Sequence, residues 1–94
     1  MPDYWRYLDN YERTLKALAN RRRLAILAYL ARRPEASVQD IADATRQGYK
    51  GTSNNLARLR AAYLVRTENK ETYIYYRLAP NLPEYIRKII EAIG

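Results

Sequence analysis

Residues 37–62, SVQDIADATRQGYKGTSNNLARLRAA, decide the fold. Ser37 with Asp40 three residues on resembles a capping box, Asp replacing the preferred Glu. It opens a short helix whose inward positions are Val38, Ile41 and Ala42. Residues 45–48 read as a turn. A further helix is expected over residues 49–62, with Thr52, Leu56, Leu59 and then Tyr63 on one side. At about 100° per residue, Lys50, Asn54, Ala57, Arg58 and Ala61 point the other way. No carboxylate occurs between Asp43 and Glu68, yet that interval holds Arg46, Lys50, Arg58, Arg60 and Arg66. Two short helices joined by a tight turn, the second free of acids and bearing amides and cations outward, predict a helix-turn-helix suited to a phosphate-lined groove.

The flanks fit around that unit. Downstream, residues 64–67 and 72–78 are rich in Val, Ile, Thr and Tyr, with Glu68, Asn69, Lys70 and Glu71 as a polar tip. This predicts a β-hairpin, a wing, although no Asn-Gly signal fixes its turn. Upstream, Asp3 is expected to cap a helix over residues 4–19, apolar at Tyr4, Tyr7, Leu8, Tyr11, Leu15 and Leu18. Arg21, Arg22 and Arg23 lead into a second helix ending near Arg33, before Pro34. Leu24, Ile26, Leu27, Tyr29 and Leu30 make it apolar on more than one side, as a central core helix is. After Pro80 and Pro83 a last helix carries a stripe of Leu82, Tyr85, Ile86, Ile89, Ile90 and Ile93.

The expected architecture is mainly α with a small β-hairpin: a single winged helix-turn-helix domain over residues 1–94. The helix-turn-helix spans 37–62 and the wing 64–78. The segments 3–19 and 82–93 carry more apolar surface than one small domain readily covers: either they close the monomer core or they pair across a two-fold axis, and pairing is the expectation. The expected dimer interface is Tyr4, Trp5, Leu8 and Tyr11 with Tyr85, Ile86, Ile89, Ile90 and Ile93.

Composition narrows the chemistry. The 94 residues hold 17 Lys and Arg against 10 Asp and Glu, a formal charge of +7 that favours polyanionic partners. Cys and His are both absent, so no disulfide, thiolate or imidazole metal site can form, and Cys and His nucleophiles or bases are excluded. No cofactor is implied. Asp40 and Asp43 suit capping and solvated surface better than a catalytic pair, and no nucleophile–base set is visible, which argues against an enzyme. No signal-length or membrane-spanning apolar run occurs, and the default reading is cytoplasmic. Ten Tyr and no Phe give aromatic groups with polar tips, suited to half-buried and interfacial positions.

Side-chain chemistry then suggests roles. Asn54 can make paired hydrogen bonds to an adenine edge, and Lys50 and Arg58 can read guanine or hold phosphate. Thr52 and Ser53 lie where helix N–H groups favour phosphate, although Thr52 also fits as a small core residue beneath Leu56. Tyr49 either packs on sugar or covers the turn, in which Arg46 and Gln47 are candidate DNA contacts, Gln47 fitting also as a solvated polar residue. In the wing, Arg66, Asn69, Lys70, Thr72 and Arg77 can touch backbone or minor groove. Arg21, Arg22 and Arg23 at a helix start oppose the dipole, which fits either a phosphate or carboxylate partner or plain solvent exposure.

The runs 15–20 (LKALAN), 23–27 (RLAIL), 37–42 (SVQDIA), 56–65 (LARLRAAYLV) and 73–78 (YIYYRL) resemble the ArsR-type, arsenic-repressor-like winged-helix family in order and spacing. The resemblance covers residues 15–80 without a gap. It implies a homodimeric transcriptional regulator, usually a repressor, joined by its first and last helices and bound to double-stranded DNA. The family's metal sensors often place Cys in the third helix, where Ser37 and Gln39 stand here; a second family site uses His and carboxylates in the last helix. Neither metal site carries over. Arg46 and Gln47 stand where Gly and an apolar residue are common, Gly48 where Ser often caps, and Asn54-Asn55 where Arg-His is frequent. The signal is therefore expected to be a small organic molecule, a partner protein, or nothing. Three rivals remain: a PadR-like regulator with another dimer arrangement, a winged-helix protein-interaction module in a transcription or RNA-processing assembly, and an enzyme.

Overall fold

In the computed structural model, which describes residues 1–94, the order is α1 (Leu8–Leu18), α2 (Arg21–Ala31), β1 (Ala36–Ser37), α3 (Val38–Thr45), α4 (Tyr49–Ala61), β2 (Val65–Lys70), β3 (Tyr73–Leu78) and α5 (Glu84–Ile93). The architecture is mainly helical with a small antiparallel wing, a winged helix-turn-helix. Helix α2 touches α1, α3, α4, α5 and β3, the central position its all-round apolar pattern predicts. Its Ile26, Leu27 and Leu30 are buried with Ile41 of α3, Leu56 and Leu59 of α4, Val65 of β2, and Ile86 and Ile90 of α5.

Local chemistry sets the element ends. The Asn20 carboxamide oxygen accepts the N–H groups of Arg22 at 3.0 Å and Arg23 at 3.1 Å, so this residue caps α2 as well as breaking the chain direction. The expected capping box forms: Asp40 N–H donates to Ser37 Oγ at 3.1 Å, and Ser37 N–H reaches Asp40 Oδ2 at 3.5 Å. At the end of α4 the N–H of Leu64 donates to Leu59 O and that of Tyr63 to Arg60 O, closing the helix around a left-handed Tyr63 (φ 61°).

Four boundaries differ from expectation. The first helix begins at Leu8, not at residue 4. Tyr7 is left-handed (φ 67°), and the Asp3 carboxylate accepts the N–H of Trp5 at 3.0 Å, capping an isolated turn. The wing is a three-stranded sheet in the order β1-β3-β2, because Ala36 and Ser37 pair with Tyr76 and Tyr75. The hairpin is longer than its polar residues suggested: Lys70 pairs with Tyr73, leaving only Glu71 and Thr72 as the turn, with Glu71 left-handed (φ 57°). The last helix starts at Glu84, with Pro83 at its N-cap, so Leu82 lies before it. No helix is long and apolar enough to cross a membrane.

Candidate nucleic-acid interface

Helix α4 divides cleanly. Thr52, Leu56 and Leu59 are buried, while Lys50, Asn54, Ala57, Arg58 and Ala61 are all exposed, as their 100° spacing requires. The amide- and cation-bearing side is not sealed within the protomer, and Tyr49 stands exposed at its start. Ser53 is half-buried beside it. One expected contact is corrected: Thr52 is completely buried, and its hydroxyl donates to Gly48 O at 2.8 Å. It packs the core and reaches no ligand.

The turn before α4 is held rather than loose. Arg46 is exposed and left-handed (φ 55°), its N–H bonded to Asp43 O and that of Gln47 to Ala42 O. Gln47 is half-buried and donates Nε2 to Arg22 O at 3.2 Å, so it ties the turn to α2. Its Oε1 has no protein partner.

The three arginines that open α2 behave differently from one another. Arg21 and Arg22 are exposed. Arg23 folds back onto the end of α1: Nε donates to Ala17 O at 2.6 Å, Nη2 to Lys16 O at 3.1 Å, and Nη1 to Asn55 Oδ1 at 3.2 Å. A cation at a helix C-terminus is favourable, so at Arg23 the apparent dipole conflict of α2 resolves as a stabilising cap for α1. Burial, and secondarily the charge of Arg58, lowers the Arg23 pKa. Sequence reasoning missed Asn55 as the anchor of this network; nothing in a linear pattern joins residues 32 apart.

In the wing, Arg66, Asn69, Thr72 and Arg77 are exposed. Arg66 and Arg77 sit directly opposite each other on β2 and β3, an arrangement that repels unless an anion lies between them. Lys70, also expected to touch backbone or minor groove, is paired with Glu35 at 2.6 Å. The hydrogen bond to Glu35 holds its ammonium above the ordinary lysine value, opposed by some burial and aided by the charges of Glu35 and Glu68. Tyr73 and Ile74 are exposed at the wing end.

The expected dimer surface separates into two groups. Tyr4, Trp5, Leu8 and Tyr11 are exposed, Ile93 is exposed, and Tyr85 and Ile89 are half-buried. Ile86 and Ile90 are corrected: they are buried in the protomer core and present nothing to a partner. Leu15, left out of the expected interface, is 48% exposed and lines an open groove along α1 with Trp5 and Leu8. Tyr11 and Tyr85 pack as a tilted ring pair, 5.9 Å between centroids and 41° between planes, and join α1 to α5.

Residues 13–72 match the model of a family described as the MarR family. Among curated proteins, the chain is 34% identical over 76 residues to the arsenical resistance operon repressor of Escherichia coli, covering 81% of this chain and 65% of that protein. It is 44% identical over 72 residues to the HTH-type transcriptional regulator Rv0324 of Mycobacterium tuberculosis, covering 77% of this chain and 31% of that protein. The chain thus spans from about a third to just under two thirds of the length of these two relatives. Among solved structures it is similar to the homodimeric winged helix-turn-helix DNA-binding domain Mb0332 from Mycobacterium bovis, described as a possible ArsR-family regulator. That similarity has a TM-score of 0.80 and 35% identity and covers 98% of this chain and 83% of that one. The MarR-type match stops before β3 and α5, whereas this last similarity takes in nearly the whole chain.

Proposed function

This chain belongs to the ArsR-type family of winged helix-turn-helix transcriptional regulators, and on that premise we propose that it binds duplex DNA as a homodimer and represses transcription by occupying a promoter. One observation carries the reading: the outer side of α4 is exposed, free of acids, and bears Lys50, Asn54 and Arg58. In this reading Asn54 meets a base edge, Lys50 and Ser53 hold the groove wall, and Tyr49 packs on sugar. Arg46 in the turn, and Arg66, Asn69, Thr72 and Arg77 in the wing, meet the backbone. The opposed Arg66 and Arg77 support a phosphate there. Gln47 and Lys70 contribute indirectly, one by fixing the turn and the other after leaving Glu35.

The homodimer rests on Tyr4, Trp5, Leu8, Tyr11 and Leu15 of the N-terminal segment, with Tyr85, Ile89 and Ile93 of α5. Two protomers then present their α4 helices about 34 Å apart, one turn of DNA. The place of action is the cytoplasm, with the DNA. A Cys- and His-free chain cannot use the thiolate or imidazole metal sites of its family, so any inducing signal is a small organic molecule or a protein.

Recovery of bound fragments from a randomised duplex pool, followed by mobility shift on the enriched site, tests this. Asn54→Ala is expected to lose about 1–3 kcal/mol of discrimination at one base position. A pool that yields no enriched site, or an Asn54→Ala variant that selects the same site with the same preference, rejects the reading.

A further inference from the structure

Four cations from three elements meet beside the reading helix. Arg13 and Lys16 of α1, Arg23 of α2 and Arg58 of α4 line a notch of about 270 Å³, floored by alanines that include Ala61 and Ala62. No carboxylate lines it. Of the four, only Lys16 has an acidic partner, Glu12 at 4.0 Å on the open surface of α1, where such a pair contributes little.

Arg23 is locked in place. It spends three of its five guanidinium donors on Ala17, Lys16 and Asn55 and cannot swing away from Arg58. Its lowered pKa, from burial and the Arg58 charge, agrees with positive potential that nothing in the protein offsets. Convergent like charges repel, and an anion in the notch relieves that repulsion.

Size and position narrow the anion. The volume is below the roughly 300 Å³ at which pockets begin to enclose a whole small ligand, so the notch suits a single phosphate group. Arg58 lies one turn beyond Asn54, about 6 Å along the axis. With Asn54 over base edges in a groove about 12 Å wide, the notch falls at the rim, where the sugar–phosphate backbone runs. We propose that this notch between α1 and the C-terminal half of α4 holds a DNA backbone phosphate flanking the bases read by Asn54. Arg58 is then a positioning residue and not a base reader. The assignment rests on the DNA-binding reading above and adds α1 to the interface.

The test compares the parent with the double variant Arg13→Gln, Lys16→Gln. Neither side chain is buried in the core or caps a helix, so the variant is expected to fold as the parent does. Affinity for the enriched site and for a scrambled duplex is measured across roughly 50–200 mM salt. The variant is expected to bind both duplexes about a hundredfold more weakly, as for one lost charge-assisted contact, about tenfold, in each of two notches. Its log–log salt slope shrinks by about 0.9 per phosphate released, about 1.8 for two notches. The preference between duplexes stays unchanged. An unaltered slope in a variant that still binds overturns the notch alone. A parent that shows no salt-dependent duplex binding overturns the regulator reading and the notch together. In a second arm, inorganic phosphate is titrated at constant ionic strength and followed by NMR. Submillimolar binding that the variant loses, with the DNA slope unaltered, assigns the notch to a free anion and overturns the DNA assignment.

Discussion

Tyr63 and Arg46 hold left-handed backbone (φ 61° and 55°) at the ends of α4 and α3, where glycine is the ordinary occupant. A Cβ in that region costs about 1–2 kcal/mol, partly offset by the greater chain entropy that glycine loses on folding. Tyr63 is 78% exposed, so its ring returns little of that cost. Tyr63→Gly is therefore expected to stabilise the protein by about 0.5–1 kcal/mol, a rise in Tm of a few degrees by calorimetry. A lower Tm overturns this, the entropy glycine loses then exceeding the strain it relieves. Arg46 shares the strain, but its side chain projects from the turn beside the reading helix. Both left-handed sites were invisible in the sequence, since neither residue signals one. Thr52 and Arg23 show the same limit from the other side. Near helix starts both look like free phosphate ligands, yet the Thr52 hydroxyl is buried and turned back to Gly48 O in its own first turn, and Arg23 is held at the edge of the notch by Ala17 O and Lys16 O.

At the level of elements, the helices with apolar periodicity were legible: the capping box, the buried α2 and the two-sided α4 follow from spacing alone. The two residues of β1 are too few to show a period, and they are strand only because β3 offers them an edge. That edge matters, because it places Glu35 next to β1 and within 2.6 Å of Lys70 at the hairpin end. The pair joins the wing tip to the segment before α3. A lysine whose folded pKa is raised contributes its contact fully below the ordinary value of 10.5 and loses it only as pH rises through the higher folded value. The contact is thus expected to be constant from neutral pH up to the ordinary lysine value of 10.5 and to vanish only above it, readable as a shift in the wing-tip amide resonances. Wing-tip resonances that move between pH 7 and 9 contradict it. Glu35→Gln removes the carboxylate and leaves Lys70 for phosphate. Duplex affinity is expected to rise about twofold to fivefold, with a salt slope steeper by up to about 0.9 per protomer. Unchanged or weaker binding shows that Lys70 does not face the duplex.

On the scale of the whole molecule, the protomer is elongated, 53 × 26 × 22 Å, with a radius of gyration of 14.0 Å where about 12 Å is usual for a compact chain of this length. Much of the exposed apolar surface lies on the N-terminal segment, where Trp5 is 82% and Leu15 48% exposed. The stripe on α5 misled in part: its alternation was legible, but amphipathic spacing gives no indication of whether a face meets its own core or a second copy. The structure turns Ile86 and Ile90 inward and leaves α1 as the larger open face. Two substitutions separate these roles. Leu15→Glu changes an exposed position and is expected to leave protomer stability within about 0.5 kcal/mol while abolishing association. Sedimentation then gives a monomer, and operator affinity falls by roughly 10²–10⁴ as the second α4 is no longer tethered. Ile86→Ala empties a core site and is expected to cost about 2–5 kcal/mol in folding without altering the association of the folded fraction. A Leu15→Glu variant that sediments as a dimer, or a parent that is monomeric at micromolar concentration, removes the α1 pairing and with it the 34 Å spacing of the reading helices.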